Sequence, residues 1–259
     1  MAAQQSADRL ASEKRWHDAY FAARLKHSYR ISDSIRLRYL SPSGAPLIPL
    51  DKLFQSLQNV EGKKILCFGC GDENTTALLA LKGALIYAFD LSLSAIQVQS
   101  QMAKDNGVEQ RVMTLCASAE KLPFPDHFFD YIVGTAILHH LPDSIPEAAA
   151  EIYRTLKPNG EALFIEPVNR SWLTRAIHKH GLSEVSPGER PLQDSDFDCF
   201  HLLFSVHFSY YDFLSRLTDR LPNNLFLKRT LRRIDLTLLK ISALQPLGAV
   251  TFARMKPIV

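Results

Sequence analysis

The run Lys63-Lys64-Ile65-Leu66-Cys67-Phe68 breaks into the turn Gly69-Cys70-Gly71, and nineteen residues after Gly71 a second apolar run ends on Asp90. An open parallel sheet uses this arrangement to build a nucleoside pocket at the carboxyl ends of its strands. The glycines let backbone approach the ligand, and the acid accepts ribose hydroxyls. The text that follows keeps the period. Strands are expected at residues 65–68, 84–89, 112–116, 129–134 and 161–165, with helices at 76–82, 92–106 and 144–156 between them. Ser92 or Ser94 is placed to cap the second of these helices. The turn Lys157-Pro158-Asn159-Gly160 precedes the last strand. Such alternation implies a parallel sheet wound through right-handed crossovers.

The flanks read differently. Residues 7–25 are rich in helix formers, with Trp16, Tyr20, Phe21 and Leu25 near helical spacing. Ser41-Pro42-Ser43-Gly44-Ala45-Pro46 is a break, and a further helix is expected at 47–57. After Pro167 we expect a helix near 172–180, a loop carrying Pro187, Gly188 and Pro191, a strand near 202–209, helices near 212–221 and 225–244, and a last strand at 249–255. The division that follows is an N-terminal helical cap at 1–60, a cofactor-binding core at 61–167, and C-terminal lid helices with closing antiparallel strands at 168–259. The last helix carries an apolar stripe of Leu227, Leu231, Ile234, Leu238 and Ile241, with Arg229, Arg232, Arg233 and Lys240 largely off it. Such a helix can lie on a membrane surface. Packing on the core with a solvated basic face is the commoner use and the preferred reading.

Composition narrows the function. A chain of 259 residues with 46% hydrophobic content can bury one core with a cap. A formal charge of +3 without a basic stripe argues against nucleic acid as a partner. The first thirty residues lack the apolar segment of a secretory signal, and no apolar run approaches the roughly 20 residues that span a bilayer, so a cytoplasmic protein is expected. Cys67 and Cys70 form a C-x-x-C. Cys70 lies inside the glycine turn, and the other cysteines, Cys116 and Cys199, form no second pair, so no metal site is expected.

The turn first suggests a dinucleotide. Against G-x-G-x-x-G, however, the third glycine falls at Asn74, and Asp72 and Glu73 lie between. Two carboxylates would repel a pyrophosphate at a helix start that ordinarily gathers anions. A cationic sulfonium cofactor meets no such repulsion.

Taken in order, 65-ILCFGCG-71, 89-FDLS-92, 117-ASAEKLPF-124, 129-FDYIV-133, 138-LHHL-141 and 156-LKPNG-160 resemble the class I S-adenosylmethionine-dependent methyltransferases, and most closely the small-molecule branch with LPF and LHHL segments. The resemblance covers about residues 61–167. It implies a Rossmann-like, seven-stranded, mostly parallel α/β sheet, S-adenosylmethionine as cofactor, and a small-molecule acceptor methylated on oxygen, nitrogen or carbon. It also implies roles. Gly69, Cys70 and Gly71 would lie along the methionyl part, Asp90 with Leu91 at the ribose, Ser118 and Ala119 at the adenine, and Thr135 and Ala136 beside the sulfonium. This sequence departs from the family at Cys67, where an acid is common, at Glu73, where the last loop glycine is replaced, and at Ser118, which replaces an Asp. A member that keeps the fold without methylating, such as a cyclase or a binding protein, is the alternative reading.

His140, His139 and Glu166 are the candidate catalytic groups. Imidazole titrates near neutral pH, and Glu166 ends a strand where open-sheet sites gather. His17, Tyr20, Arg24, His27 and Tyr29 could close the pocket from the cap. Phe204, His207, Phe208, Tyr210, Tyr211 and Phe213 fit either a substrate wall or core packing. Acceptor identity and oligomeric state have no diagnostic motif.

Overall fold

The computed structural model describes residues 2–24, 28–171, 189–216 and 225–258. Strands β1 (Lys64–Phe68), β2 (Leu85–Asp90), β3 (Val112–Cys116), β4 (Phe129–Thr135), β5 (Leu156–Pro167), β6 (Phe204–Tyr211) and β7 (Val250–Pro257) form one sheet in the order β3-β2-β1-β4-β5-β7-β6. Pairs from β3 through β5 are parallel, while β7 runs antiparallel to both β5 and β6. The expected α/β sheet of seven strands, closed by an antiparallel pair, is therefore the observed one. Strand order reverses between β1 and β4, which is where an open sheet holds its ligand.

The sheet is buried on both faces, as parallel sheets are. Side chains alternate along β1. Ile65 and Cys67 join Leu53, Leu78 and Val98 in one core, whereas Leu66 and Phe68 join Phe129, Ile152, Phe164 and Phe200 in the other. Helices α1 (Ala2–Ala22), α2 (Asp33–Leu40) and α3 (Pro49–Ser56) precede the sheet, and α4 (Thr75–Leu81), α5 (Leu93–Asp105) and α6 (Ile145–Thr155) cross over between its strands. Arg38 grips Asp51 through two hydrogen bonds of 2.8 and 2.9 Å, tying α2 to α3. Among the described residues no helix is long and apolar enough to cross a membrane.

Several boundaries move. The Lys157–Gly160 turn lies inside β5, because Phe129 pairs with Leu156 and Tyr131 with Glu161, setting those four residues opposite Asp130 alone and shifting the register by three. β6 starts two residues late, behind a short helix, Asp198–Leu203, that the sequence did not announce. Asp212 has a φ of 58°, so the helix expected from 212 does not start there, and its later residues lie outside the described ones. The helix expected near 172–180 and the Pro187-Gly188 loop also lie outside them.

The long helix stops at Leu238 and gives way to a 3-10 turn, Ser242–Leu247, that holds Pro246. Its buried residue is Asp235, which accepts the N–H groups of Phe213, Leu214 and Ser215 and the Ser215 hydroxyl. Ile234 and Ile241 of the expected apolar stripe are exposed.

Candidate functional site

The glycine turn is shaped by contacts from three directions. Gly69 and Gly71 hold φ values of 62° and 45°, and a Cβ on Gly69 would stand 2.4 Å from the Ile137 side chain. Cys70 N–H donates to the Phe89 carbonyl (2.9 Å) and Gly71 N–H to Asp90 Oδ2 (3.0 Å). From α5, Gln99 Nε2 donates to the carbonyls of Cys70, Gly71 and Glu73 at 3.0–3.1 Å. The loop thus keeps its curvature with Glu73 in place of a glycine. Gly69→Ala is expected to destabilise the protein by roughly 1–3 kcal/mol, combining left-handed strain with overpacking against Ile137. An unchanged melting curve would show that loop and Ile137 shift freely.

Asp90 ends β2, buried, with Oδ1 accepting Ser92 N–H (2.9 Å). Burial pushes its carboxyl above the ordinary value, against the N–H groups of Ser92 and Gly71. Ser92 caps α5 by accepting Ala95 N–H, and donates its hydroxyl to Asp18 of α1 (2.6 Å). Two more contacts hold α1 over the strand ends: Arg9 pairs with Glu120 (2.6 Å), and Lys14 reaches the Leu91 carbonyl (3.1 Å).

Between α1 and the strand ends lies a cavity of about 290 Å³. Gly69, Gly71, Asp90, Leu91, Ser118, Ala119, Thr135, Ala136 and His140 all line it, as do Asp72 and Glu73. Crowding by surrounding protein and the charge of Asp72 push the Glu73 carboxyl up. Ala136 is held at a φ of 53°, a conformation that a non-glycine residue keeps only when its surroundings impose it. Cys70 instead faces a small crevice behind the loop beside Cys67. Burial drives both thiols up, Cys67 to about 12, so neither is a thiolate at neutral pH.

His17 and Tyr20 close the cavity from α1, together with Trp16 and Phe21, and Arg24 lies over the Tyr20 ring at 3.5 Å. Tyr29 is buried in the core, and His27 lies outside the described residues. Phe204, Phe208 and Tyr210 pack among themselves and with Phe197 and Phe200; none of the aromatic group from 204 to 213 lines the cavity.

His139 and Glu166 stand behind the cavity wall. Glu166 is fully buried. Its Oε1 accepts Ile137 and Leu138 N–H (2.9 and 2.8 Å), and its Oε2 takes His139 Nδ1 at 2.9 Å. His139 Nε2 lies 3.4 Å from Glu189. Burial alone would discharge His139, but bonds to Glu166 and Glu189 outweigh it and raise the imidazole to about 9. His140 moves the opposite way: burial and then the neighbouring His139 charge push it well below its ordinary value. At neutral pH the pair is one imidazolium clamped by two carboxylates and one neutral imidazole on the cavity wall.

Gln99, Glu13, Arg9 and Glu189 belong to this site and were not singled out from sequence, and Trp16 was read there only as part of a helical spacing. The spacing of Glu13 and His17, four residues apart on one helix face, was the available signal for that pair.

Residues 66–164 match the family described as a methyltransferase domain. The ubiquinone/menaquinone biosynthesis C-methyltransferase UbiE of Vibrio cholerae is 33% identical over 128 residues, covering 45% of this chain and 48% of that protein. The methyltransferase GfsG of Streptomyces halstedii is 32% identical over 124 residues, 48% of this chain and 44% of that one. The chain thus spans about half the length of the curated relatives it matches. Among solved structures, geranyl diphosphate C-methyltransferase from Streptomyces coelicolor, in complex with S-adenosyl-L-homocysteine, superposes with a TM-score of 0.57 at 12% identity, over 96% of this chain and 97% of that one. That likeness speaks for the fold.

Proposed function

We propose that this chain, whose residues 66–164 match a methyltransferase domain, is a class I S-adenosylmethionine-dependent methyltransferase that methylates an oxygen, nitrogen or carbon of a small, largely apolar acceptor held beneath α1. One observation carries this reading: a single cavity runs from the buried Asp90 carboxylate to the neutral His140 imidazole and the aromatic face of α1.

The residues present fit the cofactor. The cradle at Gly69 has no room for a Cβ, and the Asp90 carboxylate sits at the cavity wall for two ribose hydroxyls. Ser118 and Ala119 border the adenine end. Asp72 and Glu73, which would oppose a pyrophosphate, are compatible with a cationic cofactor. When bound, S-adenosylmethionine supplies an electrophilic methyl on a positively charged sulfur.

The chain's own contribution is placement and exclusion of water. Trp16, Tyr20, Phe21 and Leu141 wall the acceptor end, so an acceptor is held dry and oriented, which is where most of the rate gain of a direct displacement arises. His140, neutral and at the wall, takes the proton from an acceptor O–H or N–H. Glu166 and His139 act at one remove, by fixing the turn that carries His140. Residues 1–60 serve as the cap through α1.

S-adenosylhomocysteine at about 100 times its Kd is expected to raise the melting temperature by roughly 5–10 °C, the equivalent of about 2.7 kcal/mol in a domain of this size. No shift at saturation would sink the proposal. A shift without methyl transfer to any acceptor would favour the non-methylating reading of the same pocket.

A further inference from the structure

The acceptor end of the cavity places beside His140 two side chains, Glu13 and His17, to which methyl transfer gives no role. Glu13 and His17 lie one turn apart on α1, with His17 Nε2 3.4 Å from Glu13 Oε2. His140 meets them from the opposite wall, its ring edge-on to His17 with centroids 5.0 Å apart. One donor atom from each of the three lies within 4.8 Å of the other two. Glu13 is only 5% exposed, yet its Oε2 has no hydrogen-bond partner. A buried carboxylate oxygen that approaches an imidazole at 3.4 Å but makes no hydrogen bond carries a desolvation cost that a bound cation removes.

We propose that Glu13, His17 and His140 bind one divalent first-row transition-metal ion at the acceptor end of the cavity. Two imidazole nitrogens and one carboxylate oxygen suit Zn²⁺, Mn²⁺, Fe²⁺ or Co²⁺, whereas Mg²⁺ and Ca²⁺ prefer oxygen donors throughout. Ligands on bonds of about 2.0–2.2 Å stand roughly 3–4 Å apart, so the Glu13–His17 pair already has the required spacing and His140 needs only a small approach. Glu189, whose Oε2 is 3.7 Å from His140 Nδ1, adds a nearby negative charge. The turn bearing His140 is fixed by Glu166, which accepts the N–H groups of Ile137 and Leu138.

An ion with three protein ligands keeps positions open toward the cavity. An acceptor hydroxyl coordinated there would be more acidic and would give its proton to the Glu189 carboxylate on the same cavity wall, so the base would no longer be the His140 imidazole. The inference shares the cavity with the methyltransferase reading but does not depend on methyl transfer.

The test is titration of the chelator-treated protein with CoCl2, followed by visible ligand-field absorption and by calorimetry. One Co²⁺ per chain is expected, displaced by Zn²⁺, without the near-ultraviolet absorption of a cobalt thiolate. His17→Gln and Glu13→Gln should each weaken Co²⁺ binding by roughly 100-fold, since even outer-shell partners change metal affinity 10–100-fold. The exposed His201→Gln should leave it unchanged. S-adenosylhomocysteine-induced melting shifts in each variant verify folding, and if one ligand variant fails to fold, the other decides. Absent Co²⁺ binding, equal affinity in a folded ligand variant, or thiolate bands from the cysteines would overturn the site. A wild-type protein that binds Co²⁺ but not S-adenosylhomocysteine would overturn the methyltransferase reading alone.

Discussion

Asp90→Asn is expected to weaken S-adenosylhomocysteine binding by roughly 100-fold while lowering the melting temperature of the free protein by roughly 2–10 °C, the equivalent of about 1–3 kcal/mol. Each hydrogen bond to an ionised acceptor contributes about 1.5–3 kcal/mol, and each 1.4 kcal/mol is a factor of ten. The Asp90 oxygens already accept Gly71 and Ser92 N–H groups, one each, and each retains a further lone pair for a ribose hydroxyl. An asparagine keeps one of those oxygens. Its amide would set N–H against the N–H of either Gly71 or Ser92, so the glycine turn or the start of α5 must shift. Calorimetric titration reads the affinity, and a thermal melt without ligand separates lost binding from lost fold. Near-native affinity in a folded variant would mean that the ribose is held elsewhere.

The parts of the site legible in sequence are those where one residue type is demanded by its own backbone or its own chemistry. Gly69 and Gly71 take a φ that side chains resist, Asp90 ends a strand, and Ser92 caps the next helix. Gln99 carried no such mark. Its role comes from three carbonyls that only the folded turn brings to one amide. Glu166 was visible as an acid at a strand end, but its partners are N–H groups nearly thirty residues earlier, on the turn after β4. Glu13 and His17 form an ordinary helical pair until α1 is laid across the sheet.

Periodicity misled in the helix Leu225–Leu238, where an apolar stripe predicted the buried face. The buried residue there is Asp235, because four hydrogen bonds to the 213–215 segment fix the helix more strongly than the burial of Ile234 could. The fold was legible because it repeats a local pattern; the polar clamps were not, because each joins distant segments.

Glu166→Gln should be the most destabilising conservative change at the site, costing about 3–5 kcal/mol, as expected when one member of a buried charge pair is removed. The amide has one acceptor oxygen where the carboxylate has two. If that oxygen keeps Ile137 and Leu138 N–H, the amide donor confronts the His139 Nδ1 proton; if it turns to His139, the two backbone donors lose their acceptor. His139 then retains Glu189 as its remaining anion. The pH profile distinguishes this from a simple packing defect. In the native protein His139 titrates near 9 rather than at 6.5, so its contribution is complete below pH 6.5 and disappears as pH rises through 9. Denaturant melts of the wild type should therefore show stability falling between about pH 6.5 and 9. Glu166→Gln should start lower and change far less across that window, so the two curves approach each other at alkaline pH. Parallel curves, separated equally at every pH, would show that Glu166 holds the turn without holding the His139 charge.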